Sequence, residues 1–379
     1  MNKFCFVIHP LSLQDIERYE PGAKGKGEPI LRKIMQWMPP YAAVHVTGVR
    51  TPDGRETEGW FVAATFLPQD VVDLPREEVY KKVLGAIEIG AQLGAQVAGL
   101  GAFTGVVGDA GITINERSPI AVTTGNSLTI WAGVESLFRG AQEMGVDMSE
   151  CTATVIGATG SIGAACARII APKVRRMILV ARNLTRLRNF YESVRDELPC
   201  ETEIATEVGP AVRRSQLILT ATSSTQDIIE PEDLQTGAIV CELSLPHDVS
   251  RRVSELRPDV LVVEGGNMRV PGHPRFERVR EPGSEFDLNL PPRTALACMS
   301  ETMLLALENR LEPYTLGRGI RLEKVVEIGK MAAGCGFELA EMRAFDAAIT
   351  PETLAATRAA TVRRRATESA RSLVEGYGR

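Results

Sequence analysis

Three glycines, in the run Gly157-Ala158-Thr159-Gly160-Ser161-Ile162-Gly163, follow the apolar stretch Thr152–Ile156 and open a segment with helical spacing. Glycine lets a backbone turn tightly and come close to a phosphate. A helix start adds N–H groups and the positive end of a dipole. Strand, loop and helix in that order bind the pyrophosphate of a dinucleotide, which predicts cofactor contacts from Gly157 through Gly163. The next apolar run ends Val180-Ala181-Arg182-Asn183, with Arg186 one helical turn on. An acidic residue there would hold the ribose hydroxyls of NAD, whereas a guanidinium pairs with a 2′-phosphate and stacks on adenine. Arg182, Asn183 and Arg186 therefore predict NADPH. Thr220-Ala-Thr-Ser-Ser224 ends a later strand. Small residues there, Thr222 and Ser223 among them, would let a dinucleotide cross the sheet edge, and an ordinary strand-end turn explains them equally well.

A second chemistry rests on sulfur. The seven cysteines are scattered, with no CxxC pair and no His/Cys cluster, which argues against a zinc site or a disulfide framework. Cys5, Cys151 and Cys241 lie in or beside apolar strands and Cys166 lies inside a helix, where inert thiols are the rule. Cys200 and Cys335 lie near element ends without a visible partner. Cys298 differs: it follows Pro291-Pro-Arg293 near a helix start. A helix N-terminus and Arg293 would lower its pKa. A thiolate there could take an acyl group from a thioester, and hydride transfer would then release an aldehyde.

The elements that must carry these residues follow from periodicity. Phe4–Ile8 reads as a buried strand, and Val44–Val49 and Trp60–Thr65 as a hairpin around the turn Thr51-Pro-Asp-Gly54. Glu77–Leu93 has helical spacing, with Lys81 and Lys82 read on its solvated face. Thr123-Thr-Gly-Asn-Ser127 leads into a helix over Leu128–Met144. From Thr152 to Glu264, apolar strands alternate with helices, which implies a parallel sheet covered on both faces. Residues 267–290 read as a loop, Thr294–Arg310 and Leu322–Cys335 as helices, and Thr350-Pro351 as the start of a terminal helix. Arg358, Arg363, Arg364, Arg365 and Arg371 give that last helix a positive face. The predicted fold is α/β: a Rossmann-type doubly wound sheet with an N-terminal α/β domain and a helical C-terminal region. Boundaries are expected at residues 1–150, 151–270 and 271–379.

A chain of 379 residues exceeds a single core, and 44% apolar content argues against disorder. A net charge of −5 disfavours nucleic acid as a partner. Phe4–Ile8 is too short for a signal peptide, and no stretch has transmembrane length, so a reducing cytoplasm is the expected compartment.

Beyond single motifs, the chain resembles the long-chain acyl-[acyl-carrier-protein] reductases of the cyanobacterial alkane pathway. The likeness runs in order through Val46-Thr-Gly48, Glu58-Gly59, Phe66-Leu-Pro68, Gly99-Leu-Gly-Ala-Phe103 and Thr123-Thr-Gly-Asn126. It continues through the Gly157 loop, Ala181-Arg-Asn183, Ala297-Cys298 with Glu301, Leu316-Gly-Arg318 and Gly336-Phe337. The resemblance implies that Cys298 carries the acyl group and that NADPH is the reductant. It implies an acyl carrier protein or acyl-CoA as acyl donor, with at most transient membrane contact. Thr124 and Asn126 join the candidate site on the substrate side. Three departures leave chain length and donor open: Ser161 in place of an acidic residue, a longer charged segment over Gly272–Asp287, and residues 338–379 beyond the family's usual end.

Ile239-Val-Cys-Glu-Leu-Ser-Leu-Pro-His247-Asp-Val249 is similar to a strand–loop segment of glutamyl-tRNA reductases. His247 could give a proton to the leaving group or alkoxide, although a loop histidine facing solvent is the simpler account. His9, His45 and His273 show no partner. Two other readings stand beside the reductase: a shikimate-dehydrogenase-like NADP oxidoreductase, which would need a Lys/Asp pair, and a non-catalytic NADPH-binding regulatory protein.

Overall fold

In a computed structural model that describes residues 1–224 and 226–377, the chain forms two compact units. The first comprises Met1–Leu128 and Met268–Glu338, the second Thr129–Asn267 and Leu339–Arg379. The chain thus leaves its first unit, builds the second, and returns, where the sequence places single cuts after residues 150 and 270.

The first unit is built on strands β1 (Lys3–Ile8), β2 (Tyr41–Arg50), β3 (Glu56–Ala63), β4 (Val97–Leu100) and β5 (Ala121–Thr123). β3, β1, β4 and β5 run parallel in that spatial order, and β2 closes an antiparallel hairpin onto β3. The strand Gly272–Arg278 completes the sheet as an antiparallel edge on β2. That segment is therefore not the loop its proline and charges suggest. Charge and proline are what an exposed edge strand carries to resist pairing with other chains. The helix Arg76–Gln92 covers one face, burying Val79, Val83, Ala86 and Ile87 at helical spacing. It lies so close to β1 that a Cβ on Gly90 would stand 2.4 Å from the Cys5 Sγ.

Lys82, on the same helix, does not face solvent. Its ammonium donates to the carbonyls of Met35 (3.0 Å) and Met38 (3.1 Å) and to Thr65 Oγ1 (2.8 Å). This half-buried position lowers its pKa, chiefly by desolvation.

His9, at the end of β1, also has partners. Its Nε2 accepts the amide of Phe103 at 3.1 Å, so Nδ1 carries the proton and donates to the Pro10 carbonyl at 2.9 Å. The ring stacks on Phe66 at 4.9 Å. Burial pushes its pKa down to about 4. The unfolded chain takes up a proton near pH 6.5 and the native ring does not, so stability is present above that pH and is lost as pH falls toward 4. Denaturant titrations at pH 7.5 and 4.5 should show the wild type losing roughly 2–3 kcal/mol more than His9→Gln. Equal losses in the two proteins would refute this.

The second unit holds β6 (Thr152–Ile156), β7 (Arg176–Val180), β8 (Glu201–Ala205), β9 (Leu217–Thr220), β10 (Ile239–Glu242) and β11 (Leu261–Glu264). All six are parallel, in the order β8-β7-β6-β9-β10-β11. That is the doubly wound Rossmann order, in which winding reverses between the first and fourth strands, here β6 and β9. β6, β7, β9 and β10 are almost wholly buried and apolar, as a sheet covered on both faces demands. In the C-terminal helix Pro351–Tyr377, Thr350 Oγ1 accepts the amide of Thr353 as a cap. Part of its positive face is engaged within the unit: Arg358 donates to the Glu143 carbonyl and Arg364 lies 3.3 Å from Asp259. The Arg371 side chain lies outside the described ones. Among the described residues, no helix is long and apolar enough to cross a membrane.

Candidate functional site

In the second unit the glycine loop falls where the winding reverses. Gly157 has φ +81°, and a Cβ on it would stand 2.3 Å from the Ala221 carbonyl oxygen, so only glycine fits. A Cβ on Gly163 would meet the Gly157 oxygen at 2.4 Å, which seats the helix Ser161–Ile170 tightly on the loop. The amides of Gly157 and Ala158 donate to the Val180 carbonyl at 2.9 and 3.1 Å, tying the loop to β7. Gly160 caps the helix without a side-chain bond to its first amides, and Ile162 lies in the first turn. This is a cradle shaped by close backbone approach, and it fits a dinucleotide pyrophosphate.

The residues after β7 divide in role. Asn183 Oδ1 accepts the Arg186 amide at 2.9 Å and caps the helix Leu184–Val194. Arg186 Nη2 donates to the Thr159 carbonyl at 3.1 Å, beside the loop. Arg182 is exposed and, among the described residues, makes no hydrogen bond or ion pair.

Across the reversal, Thr222 is tied into a polar cluster at the ends of β9 and β10. Its hydroxyl donates to Asp248 Oδ1 at 2.7 Å and its amide to Ser244 Oγ at 2.8 Å. Thr220 and Ser244 donate to the other oxygen of the buried Asp248. Ser223 is exposed beside them. Glu242, also buried, accepts the amides of Asp248 and Val249 on one oxygen and holds His247 Nδ1 at 2.7 Å on the other. His247 is therefore not a free loop histidine. The carboxylate raises its pKa, the hydrogen bond first and the charge after desolvation. The signal in the sequence was two acidic residues, Glu242 and Asp248, at the end of an apolar strand.

In the first unit Cys298 is the second residue of the helix Ala297–Leu307 and its one residue that is not buried. Of the six other cysteines, only Cys200 is also not buried. Thr294–Leu296, expected as helix, is a short strand leading in. The turn before the helix Asn126–Glu143 lies against the cysteine: at Gly125, φ +73°, a Cβ would meet the Cα and Cβ of Cys298 at 2.4 Å. Thr124 is buried, and its amide (2.9 Å) and hydroxyl (3.2 Å) both donate to the Thr315 carbonyl. Asn126 is half-buried beside Gly125.

One turn on, Glu301 is buried. It accepts the Leu128 amide at 2.8 Å and the hydroxyls of Thr315 at 3.0 Å and Thr123. Burial raises its pKa against these donors. Glu301 thus pins the turn and the Thr315 segment to the cysteine helix. In the sequence Glu301 stands only among the residues that carry the resemblance, with no role assigned.

The thiol itself departs from expectation. The residue keeps some exposed surface, yet the fold strips water from around its sulfur, and that desolvation pushes the Cys298 pKa up to about 12; the Glu301 charge adds to this. The Met299 amide at the helix start pulls the other way and loses. Arg293 does not offset the burial. Among the described residues, no group of His, Cys, Asp or Glu could hold a metal ion.

Comparison with known proteins adds a partial context. The family model for shikimate / quinate 5-dehydrogenase matches residues 139–263. The aminotransferase PigE of Serratia sp. is 30% identical over 267 residues, 68% of this chain; the chain spans only 30% of PigE. The long-chain acyl-[acyl-carrier-protein] reductase of Synechococcus elongatus is 27% identical over 313 residues, 79% of this chain and 87% of that protein. The nucleotide-binding domain of glutamyl-tRNA reductase from Thermoplasma volcanium aligns at TM-score 0.26 and 19% identity, over 34% of this chain and 84% of that one. The glycine loop, the strand order, the family-model match and the likeness to the Synechococcus elongatus reductase support an NAD(P)-dependent oxidoreductase of the dehydrogenase/reductase kind.

Proposed function

We propose that the protein reduces a long-chain acyl thioester, carried on an acyl carrier protein or coenzyme A, to a fatty aldehyde with NADPH. The observation that carries this reading is Cys298: the one residue of a buried helix that is not itself buried, held against a glycine-only turn. The likeness to the Synechococcus elongatus reductase supports it. The shikimate dehydrogenase match lies wholly inside the second unit and bears on the cofactor, not the substrate. Lys82, spent on three oxygens, is not available for that chemistry.

The bound dinucleotide would supply a hydride. Cys298 Sγ attacks the thioester carbonyl, the bond from that carbon to the donor sulfur breaks, and the donor thiol leaves with the cysteine proton. With that hydride on the acyl carbon, the Cys298 C–S bond would break, leaving the aldehyde and the Cys298 thiolate. A thiol with a pKa of about 12 is a strong base once released, so Sγ takes up the balancing proton at once. His247, its Nδ1 held by Glu242 in the second unit, is a proposed proton donor.

The test is incubation of the full chain with acyl thioesters and NADPH. Aldehyde should form, and without NADPH the acyl mass should remain on the peptide containing Cys298. No aldehyde from any acyl thioester, or an acyl mass on another cysteine, would reject the reading.

The cofactor choice is separable. Arg182, exposed and unpaired among the described residues, is the proposed partner of a 2′-phosphate. Arg182→Asp should lower NADPH affinity on the order of 10- to 100-fold, the value of a charge-assisted pair, with NADH little changed. Equal affinity of the unaltered protein for both cofactors would refute the assignment.

A further inference from the structure

A cavity of about 590 Å³ opens in the first unit, and the mechanism above does not use it. Three arginines line it: Arg50 at the end of β2, Arg269, and Arg293 in the segment that leads to Cys298. Its walls are backbone held in fixed shapes. Gly272, φ +83°, has no room for a Cβ, which would meet the Gly48 oxygen at 2.5 Å and the Arg50 amide nitrogen at 2.7 Å. Arg293 itself is left-handed, φ +61°, a conformation that costs energy in a residue with a side chain.

The charges in this cavity are poorly matched within the protein. Arg293 has its Nε buried without a hydrogen-bond partner. Arg269 is exposed and, among the described residues, makes no hydrogen bond or ion pair. Arg50 lies 3.5 Å from Glu56, an exposed contact worth little. Glu338 also lines the cavity, yet it pairs with none of the three among the described residues. A strained arginine with a buried, unsatisfied donor needs an acceptor from outside. Guanidinium groups match phosphate in charge and in fork geometry.

We propose that this cavity is the anion site for a phosphate ester of the acyl donor. Five residue steps separate Arg293 from Cys298, so the wall of the cavity lies within about 17 Å of the nucleophile along the chain. That is a span of the order a pantetheine arm bridges between its phosphate and its thioester. Fixing the phosphate at one end would orient the thioester at the other. The identity of the ligand rests on the acyl-thioester reading; the existence of an anion site does not.

The experiment measures binding to the full chain by calorimetry, without NADPH or any acyl group. The probes are pantetheine, 4′-phosphopantetheine, coenzyme A and inorganic phosphate. Phosphopantetheine should bind about tenfold or more tightly than pantetheine. That preference should collapse in Arg269→Gln and in Arg293→Gln. Arg269 is exposed, so its variant keeps the test sound if the strained Arg293 site fails to fold. Coenzyme A binding more tightly than phosphopantetheine, with the excess lost in the variants, assigns the cavity to the nucleotide phosphates of that donor. Equal affinity assigns it to the pantetheine phosphate common to both donors. Pantetheine binding as tightly as phosphopantetheine, or a preference that survives in the variants, overturns the site. Inorganic phosphate binding as tightly as phosphopantetheine overturns the donor assignment. Failure to form aldehyde would strike the reduction and leave these binding results standing.

Discussion

Cys298→Ala is expected to lose acyl transfer and aldehyde formation together, by at least about 10³-fold, because no other group replaces a covalent nucleophile. The fold should hold. Cys298 is only half-buried, and truncating it removes one sulfur from a helix whose other residues carry the packing. NADPH should bind the variant as it binds the wild type. Full activity in Cys298→Ala would end the nucleophile's role. The raised pKa adds a second, independent expectation. With a thiol near pH 12, the thiolate fraction between pH 7 and 9 is small and rises about tenfold per unit. Alkylation of Cys298 by iodoacetamide should follow that slope without a plateau. A plateau near pH 7 would mean a stabilised thiolate, and the burial argument would fail.

That expectation corrects one drawn from spacing. A helix start and a nearby arginine both lower a thiol pKa, and both are visible in the sequence. What is not visible is how much water the fold removes, and the Gly125 turn against the cysteine comes from a segment far away in the chain. The same division runs through the fold. Continuous apolar strands and a glycine loop are local, so β6 through β11 and the loop after β6 are legible. Glu301 draws its donors from residues 123, 128 and 315, and Lys82 spends its protons on the end of another helix. Such contacts leave no periodicity to read. The edge strand Gly272–Arg278 was missed for the opposite reason. It has the charges and proline of a loop because an exposed edge needs them. Its pairing with β2 is also why the chain divides as it does, with Met268–Glu338 returning to the first unit.

The glycines of the cofactor loop separate binding from folding. Gly157→Ala places a methyl 2.3 Å from a carbonyl oxygen at φ +81°, so it should destabilise the second unit by on the order of 2–4 kcal/mol and weaken the cofactor only as a consequence. Gly160 is different. Its φ is −79°, open to any residue, and a Cβ there would find its nearest neighbour, the Gly157 oxygen, at 3.2 Å. Gly160→Ala should therefore melt within about 1 kcal/mol of the wild type. Yet its methyl would stand at the helix start, where a pyrophosphate must approach the backbone closely. NADPH affinity should fall on the order of 100-fold, about 3 kcal/mol, from that steric block alone. Thermal melts and fluorescence titration with NADPH, run on both variants, decide it. Gly160→Ala binding NADPH at wild-type affinity would show that the dinucleotide does not lie across this loop. The proposed cofactor contacts from Gly157 to Gly163 would then have to be abandoned, whatever Gly157→Ala does to stability.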